Sequence, residues 1–300
     1  MTTAVRVARA LGLARSLAVY YGPFWRRRRL TRFYRQFLSP GDLAFDVGAH
    51  VGNRVSVFRG LGARVVAVEP QPHLMTVLRL LYGRDAHVRL EQCGVAATTG
   101  TGTLHLSART PTVSSFAAGW IEEVADDPGF ARVRWETALS VPLVTLDELI
   151  DRHGEPRFTK IDVEGFEQEA LGGLSRPLAS LSFEYLPAAV ERAVACVERL
   201  TALGDYRFRR SRVETHSWWD PDWVDAPTMI SRLRTLPDGR SGDVYAVRID
   251  GRPPDSDHLA ARAAVGQSGG SPGSTGVSGS ASSAARRPVS QSVRASRSSP

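Results

Sequence analysis

Short apolar runs alternate with amphipathic stretches through the middle of this chain. Leu43–Val47 reads as a buried strand, and 64–69, 87–92, 158–163 and 179–185 repeat the pattern. Between them, 51–61, a segment opened by Pro72, 146–152, a segment from Glu167 and 188–203 carry apolar residues at helical spacing. The stretches 100–106 and 139–145 alternate and predict an added antiparallel ribbon, while 206–213 and 243–249 predict final strands. Alternation over 43–203 predicts a mostly parallel, doubly wound α/β sheet with helices on both faces. Upstream, 3–21 reads as helical. Leu30, Phe33, Tyr34, Phe37 and Leu38 mark a second amphipathic helix, and a turn at 39–42 leads into the first strand. Beyond Leu259 almost no large apolar residue remains, so the Ser/Gly/Arg-rich tail predicts disorder. The expected organisation is a basic helical extension over 1–38, an α/β domain over 39–250 and the tail over 251–300.

The first strand runs into Asp46-Val-Gly-Ala-His-Val-Gly52, a strand, glycine turn and helix start. Glycines let the backbone approach a ligand, and a helix start offers free N–H groups. The second strand ends on Glu69, where an acid can take both hydroxyls of a ribose. The spacing is not the G-x-G-x-x-G of a dinucleotide site. Asp46, just before the first glycine, would repel a pyrophosphate. It suits a cationic or zwitterionic ligand that also carries a ribose, and S-adenosylmethionine has those parts.

Composition narrows the partners. Residues 1–36 hold nine Arg and no acid, and the tail is also basic, so the net charge of +7 hides an acidic middle. An acidic core argues against nucleic acid, whereas the Arg block at 26–29 with Phe24 and Trp25 could touch an anionic membrane surface weakly. The two cysteines lack metal spacing and fit a reducing, cytoplasmic setting; no long apolar span is present. Lys160 is the only lysine. Its place in a strand suggests packing or pairing rather than proton abstraction.

A second motif, Lys160-Ile-Asp-Val-Glu-Gly165, puts Asp162 and Glu164 at a strand end. In open α/β sheets the ligand lies beyond the carboxyl ends of the strands, where Asp46, Glu69, Asp162, Glu164 and Glu184 would gather. Five carboxylates at one edge need a cation or hydrogen-bond donors among them. Asp162, Glu164 and Glu184 would also suit Mg²⁺, although no clear metal-ligand pattern is present. The connection over 110–134 is long enough to serve as a lid, and its Ser114 and Ser115 could meet a sugar or be ordinary loop residues. Trp218, Trp219 and Trp223 could stack on an acceptor or pack under a loop. His105 and His153 read as surface residues more readily than as bases.

Taken in order, Asp46-Val-Gly-Ala-His-Val-Gly52, Val68-Glu-Pro70, Val141-Pro-Leu-Val-Thr-Leu-Asp-Glu-Leu149 and Lys160-Ile-Asp-Val-Glu-Gly165 resemble the FkbM-type S-adenosylmethionine-dependent methyltransferases over about residues 30–250. The resemblance implies methyl transfer, usually to a hydroxyl of a sugar, glycan or secondary metabolite. It implies that Asp46, Gly48, Ala49, His50 and Gly52 surround the amino-acid end of the cofactor, that Glu69 binds its ribose, and that Asp162 lies near the transferred methyl. His50 stands where the family commonly has Asn. Asp162, Glu164 and Glu184 are the candidates for removing the acceptor proton. Two alternatives stand beside this reading: a nicotinamide-dependent oxidoreductase and a non-catalytic membrane-surface module.

Overall fold

The computed structural model describes residues 24–107, 114–116, 137–212, 217–236 and 240–249. The expected helix over 3–21, most of the 110–134 connection and the 251–300 tail lie outside these residues.

The chain runs α1 (Phe24–Tyr34), β1 (Leu43–Val47), α2 (Asn53–Gly60), β2 (Arg64–Val68), α3 (Pro72–Tyr82), β3 (Val88–Glu91), β4 (Gly94–Val95), β5 (Gly100–Leu106), β6 (Thr137–Val144) and α4 (Leu146–His153). It continues through β7 (Phe158–Ile161), α5 (Glu167–Gly172), β8 (Ser180–Tyr185), α6 (Val190–Leu203), β9 (Tyr206–Arg212), α7 (Ala226–Arg234) and β10 (Gly242–Arg248). Seven strands form one sheet in the order β3-β2-β1-β7-β8-β10-β9. All neighbours are parallel except at β10, which is antiparallel to β8 and β9. This is the Rossmann-like architecture, with apolar clusters on both faces of the sheet. The predicted ribbon is present as the antiparallel pair β5–β6, with the two-residue β4 added alongside β6.

Local chemistry sets the helix starts. Thr145 caps α4 by accepting the Glu148 N–H, and the two acids of the first turn favour the positive end of the helix. Asp225 caps α7 through the Thr228 N–H. The hydrophobic pattern does not predict α7. It buries only Ala226, Met229 and Leu233, too few apolar positions to stand out.

The inner face of α1 packs into the molecule. Tyr34 is fully buried against Phe58 and Phe158, and Phe37 stacks on Tyr245 of β10 at 5.4 Å. Trp218 joins this cluster against Phe33, Tyr245 and Trp223. Of the two readings for the tryptophans, packing is therefore the observed one for Trp218 and Trp223. Trp219 lies under the Arg212 guanidinium instead.

Candidate active site

Parallel strands β2, β1 and β7 end at one edge, and the site is built from their first residues beyond. β1 leaves the sheet through Gly48, whose φ is +83°. The N–H groups of Gly48 and Ala49 both donate to the Val68 carbonyl at 3.0 Å, which folds the turn back over β2. His50 follows with φ +50° and donates its N–H to Glu69 Oε2 at 2.9 Å. Asn and His tolerate this left-handed backbone better than most residues, which explains why either can occupy the position. The Gln71 N–H donates to Glu69 Oε1 at 2.9 Å. Glu69 is 3% exposed, and its carboxylate is thus aimed by two backbone donors.

A cleft opens above this edge, lined by both polar and apolar groups. Asp46, Gly48, His50, Glu69, Asp162 and Glu164 line it. Three further residues named for the cofactor or the chemistry do not line the cleft itself. Ala49 turns its methyl into the core below the turn. Gly52 holds the α2 N-terminus at φ +82° and accepts the Tyr82 hydroxyl, so it shapes the turn without lining the cleft. Glu184 faces a small adjoining cavity beneath the 163–165 turn, although its carboxylate comes within 4.8 Å of those of Asp162 and Glu164.

Burial and charge divide the acids. Asp46 accepts the Val55 N–H, but among the described residues its buried Oδ2 has no partner. Burial pushes Asp46 up to about 6, against the opposing pull of Lys160 and Arg54. Burial likewise pushes Glu69 up to about 7. Asp162 differs. Burial opposes its ionisation, but the Lys160 ammonium, paired directly with it, holds its carboxyl below the usual range. Glu164 and Glu184 are raised well above it by burial and by the Asp162 charge.

The turn carrying these groups is held from below. Glu164 and Gly165 have φ +53° and +86°. The buried Glu167 Oε1 accepts the N–H groups of Val163 (3.0 Å) and Gly165 (3.3 Å). Ser115, fully buried, donates its hydroxyl to the Glu164 carbonyl at 2.6 Å, so it ties a crossing segment down rather than facing an acceptor. Ser114 does line the cleft, next to Phe116. His153 is engaged with Glu91 at 2.8 Å and His105 lies in β5; neither lines the cleft.

The sequence reading missed Arg54, Cys93, Glu167 and Asp243. Arg54 is in the first turn of α2 and lines the cleft, an outcome the helical period makes readable. Cys93 lines the cleft, but burial pushes its thiol up to about 12, so it stays protonated. Asp243 reaches the ligand edge because β10 runs antiparallel and begins where its neighbours end, opposite Glu184.

Residues 46–233 match the methyltransferase FkbM domain. The chain belongs to the FkbM methyltransferase family, which makes methyl transfer its chemistry and S-adenosylmethionine its cofactor. Membership removes the nicotinamide alternative. A comparison with curated proteins gives no relative. Among solved structures the chain is similar to a TehB-like SAM-dependent methyltransferase from Corynebacterium glutamicum, at 10% identity and a TM-score of 0.41, covering 78% of this chain and 93% of that one. It is also similar to precorrin-6y C5,15-methyltransferase from Geobacter metallireducens, at 11% identity and a TM-score of 0.39, covering 74% and 87%.

Proposed function

We propose that the protein transfers a methyl group from S-adenosylmethionine to a hydroxyl of a small molecule, sugar or glycan. The observation that carries the cofactor site is Glu69, buried at the cleft wall with each carboxylate oxygen oriented by a backbone N–H. A carboxylate fixed in this way keeps lone pairs for the two ribose hydroxyls. The orphaned Asp46 Oδ2 suits the ammonium of the amino-acid end. Gly48 and His50 form the floor, and Asp162 and Glu164 face the space where the acceptor would approach.

The cofactor supplies an electrophilic methyl on a sulfonium. The chain's own work is to align an acceptor oxygen and remove its proton. Asp162, ionised beside Lys160, is the cleft carboxylate equipped to accept that proton. Glu184, raised by burial and by the Asp162 charge, hydrogen-bonds Asp162 and steadies its ionised form. Glu164, raised and half-buried, can donate to an acceptor hydroxyl. A hydroxyl acceptor fits this cluster because it can both donate to a carboxylate and accept from a carboxylic acid. Two buried, free cysteines fit a cytoplasmic setting.

Calorimetric titration with S-adenosylhomocysteine tests the cofactor site. Asp46→Ala and Glu69→Ala should each weaken binding about tenfold or more. Both acids are raised in the free protein, so their contribution to its stability is present at low pH and lost as pH rises through about 6 to 7. An ammonium and ribose hydroxyls favour the ionised acids, so binding should release protons below pH 7 and strengthen as pH rises from 5 to 8. Binding that ignores both substitutions and pH would sink the site. Labelled methyl donor with hydroxylated and aminated acceptors then separates O- from N-transfer.

A second reading concerns α1. Arg26, Arg27, Arg28, Arg29, Arg32 and Arg35 are exposed, and Trp25 is 64% exposed. A basic face with an exposed tryptophan suits weak contact with an anionic membrane. Among the described residues no helix is long and apolar enough to cross one. Sedimentation with phosphatidylserine vesicles should fall as salt rises and fall again when Arg26 to Arg29 become Gln. Vesicle binding that persists in that variant would refute the contact.

A further inference from the structure

The cleft holds a cation that, among the described residues, has no counterion in direct contact. Arg54 lines it from the first turn of α2 and makes one hydrogen bond, from Nε to Tyr34 Oη at 3.2 Å. Among the described residues no carboxylate forms an ion pair with it. Asp46 and Asp243 act on it only at longer range. A guanidinium has five N–H donors in a planar fork. Among the described residues only the Nε donor has a protein partner, and a free fork is the group that recognises a planar two-oxygen acceptor. The other charged base in the cleft, Lys160, is already committed to Asp162. His50 is pushed down to about 4 by burial and stays neutral.

Tyr34 fixes where the fork points. It is fully buried, wedged edge-on between Phe33 and Phe58, with its hydroxyl 3.4 Å from that of Tyr245. Helix α1 therefore reaches the cleft through one phenol.

We propose that Arg54 binds the α-carboxylate of the cofactor's amino-acid end while Asp46 takes its ammonium, and that Tyr34 of α1 is the positioning residue for Arg54. A guanidinium fork and an orphaned carboxylate in one cleft recognise a zwitterion. A phosphate would satisfy Arg54 but would be repelled by Asp46. The first-turn N–H groups of α2 add to the attraction for a carboxylate. The proposal rests on the cofactor reading above.

The test compares two ligands by calorimetry. S-adenosylhomocysteine carries the amino-acid end; 5′-methylthioadenosine keeps the nucleoside and sulfur but lacks it. Arg54→Gln should weaken S-adenosylhomocysteine about 10- to 100-fold and leave 5′-methylthioadenosine within about threefold. Arg54→Lys keeps the charge, loses the fork and should fall between. Tyr34→Phe should weaken only S-adenosylhomocysteine, by several-fold, which keeps the proposal falsifiable if Arg54→Gln does not fold. Equal weakening of both ligands would mean a purely structural role and overturn it, as would unchanged S-adenosylhomocysteine binding. A wild type that binds neither ligand would instead remove the cofactor reading, and this proposal with it.

Discussion

Gly48→Ala should abolish measurable cofactor binding. A Cβ placed on Gly48 would lie 1.8 Å from the Asp162 carbonyl oxygen and 2.9 Å from its carbon. These are backbone atoms, so no side chain can swing aside. The Asp162 N–H is itself bonded to the Val47 carbonyl at 3.0 Å, which pins the two motifs together. Relief would require β1's turn and the 162–165 turn to separate by more than an ångström, moving Asp46, Asp162 and Glu164 apart. The left-handed φ adds about 1–2 kcal/mol for any side chain, and overpacking adds about 1–3 kcal/mol. The expected loss in affinity for S-adenosylhomocysteine is about 100-fold or more. Gly41→Ala is the control. Gly41 has φ +89° with nothing within 4 Å of an added Cβ, so it incurs the backbone cost without a clash. It should lower stability by about 1 kcal/mol and leave binding intact. A Gly48→Ala variant that binds within about threefold of wild type would show that this contact does not set the cleft.

Much of this site was legible in the sequence because it sits on the backbone of two motifs. A strand ending in Asp46, a glycine turn and a second strand ending in Glu69 place their residues by chain geometry alone, and the parallel sheet aligns β7 beside β1. The same logic located Asp162 and Glu164. Less legible were features that depend on side-chain direction or long-range placement. Ala49 and Gly52 belong to the same motif as Gly48, yet one packs into the core and the other caps a helix. Glu184 is at the right strand end but faces the neighbouring cavity. Asp243 depended on the antiparallel direction of β10, which no local pattern reports. Helix α7 was hidden by its few apolar positions, although Asp225 followed by Pro227 is a readable start signal. Lys160 paired rather than acting alone, as its place in a buried strand suggested.

Glu167→Ala should remove methyl transfer while leaving the nucleoside side of the cleft in place. Glu167 touches no residue expected to contact the cofactor. Its Oε1 instead accepts the Val163 and Gly165 N–H groups across the turn that contains Glu164. That turn holds a non-glycine residue at φ +53°, a conformation that persists only when its surroundings enforce it. Alanine would leave two backbone donors without this acceptor, at about 1–3 kcal/mol each. For a domain of this size that lowers the melting temperature by on the order of 5–15 °C. The turn would then relax, and an ångström's displacement of Asp162 and Glu164 costs about 100-fold in rate. Burial pushes Glu167 up to about 7, so its carboxyl is largely neutral below neutral pH and about half ionised at it. Glutamine keeps an acceptor oxygen in the same place and resembles that neutral form, so Glu167→Gln should retain most activity and stability. The sign of the pH effect separates the variants further. A carboxyl raised in the folded state contributes stability that is present at low pH and lost as pH rises through about 7. Wild type should therefore lose part of its stability between pH 6 and 8, and Glu167→Gln should lose less over that window. Thermal melts across pH, with single-turnover methyl transfer, check both halves. An alanine variant as active as the glutamine variant would mean that the turn holds its shape without Glu167.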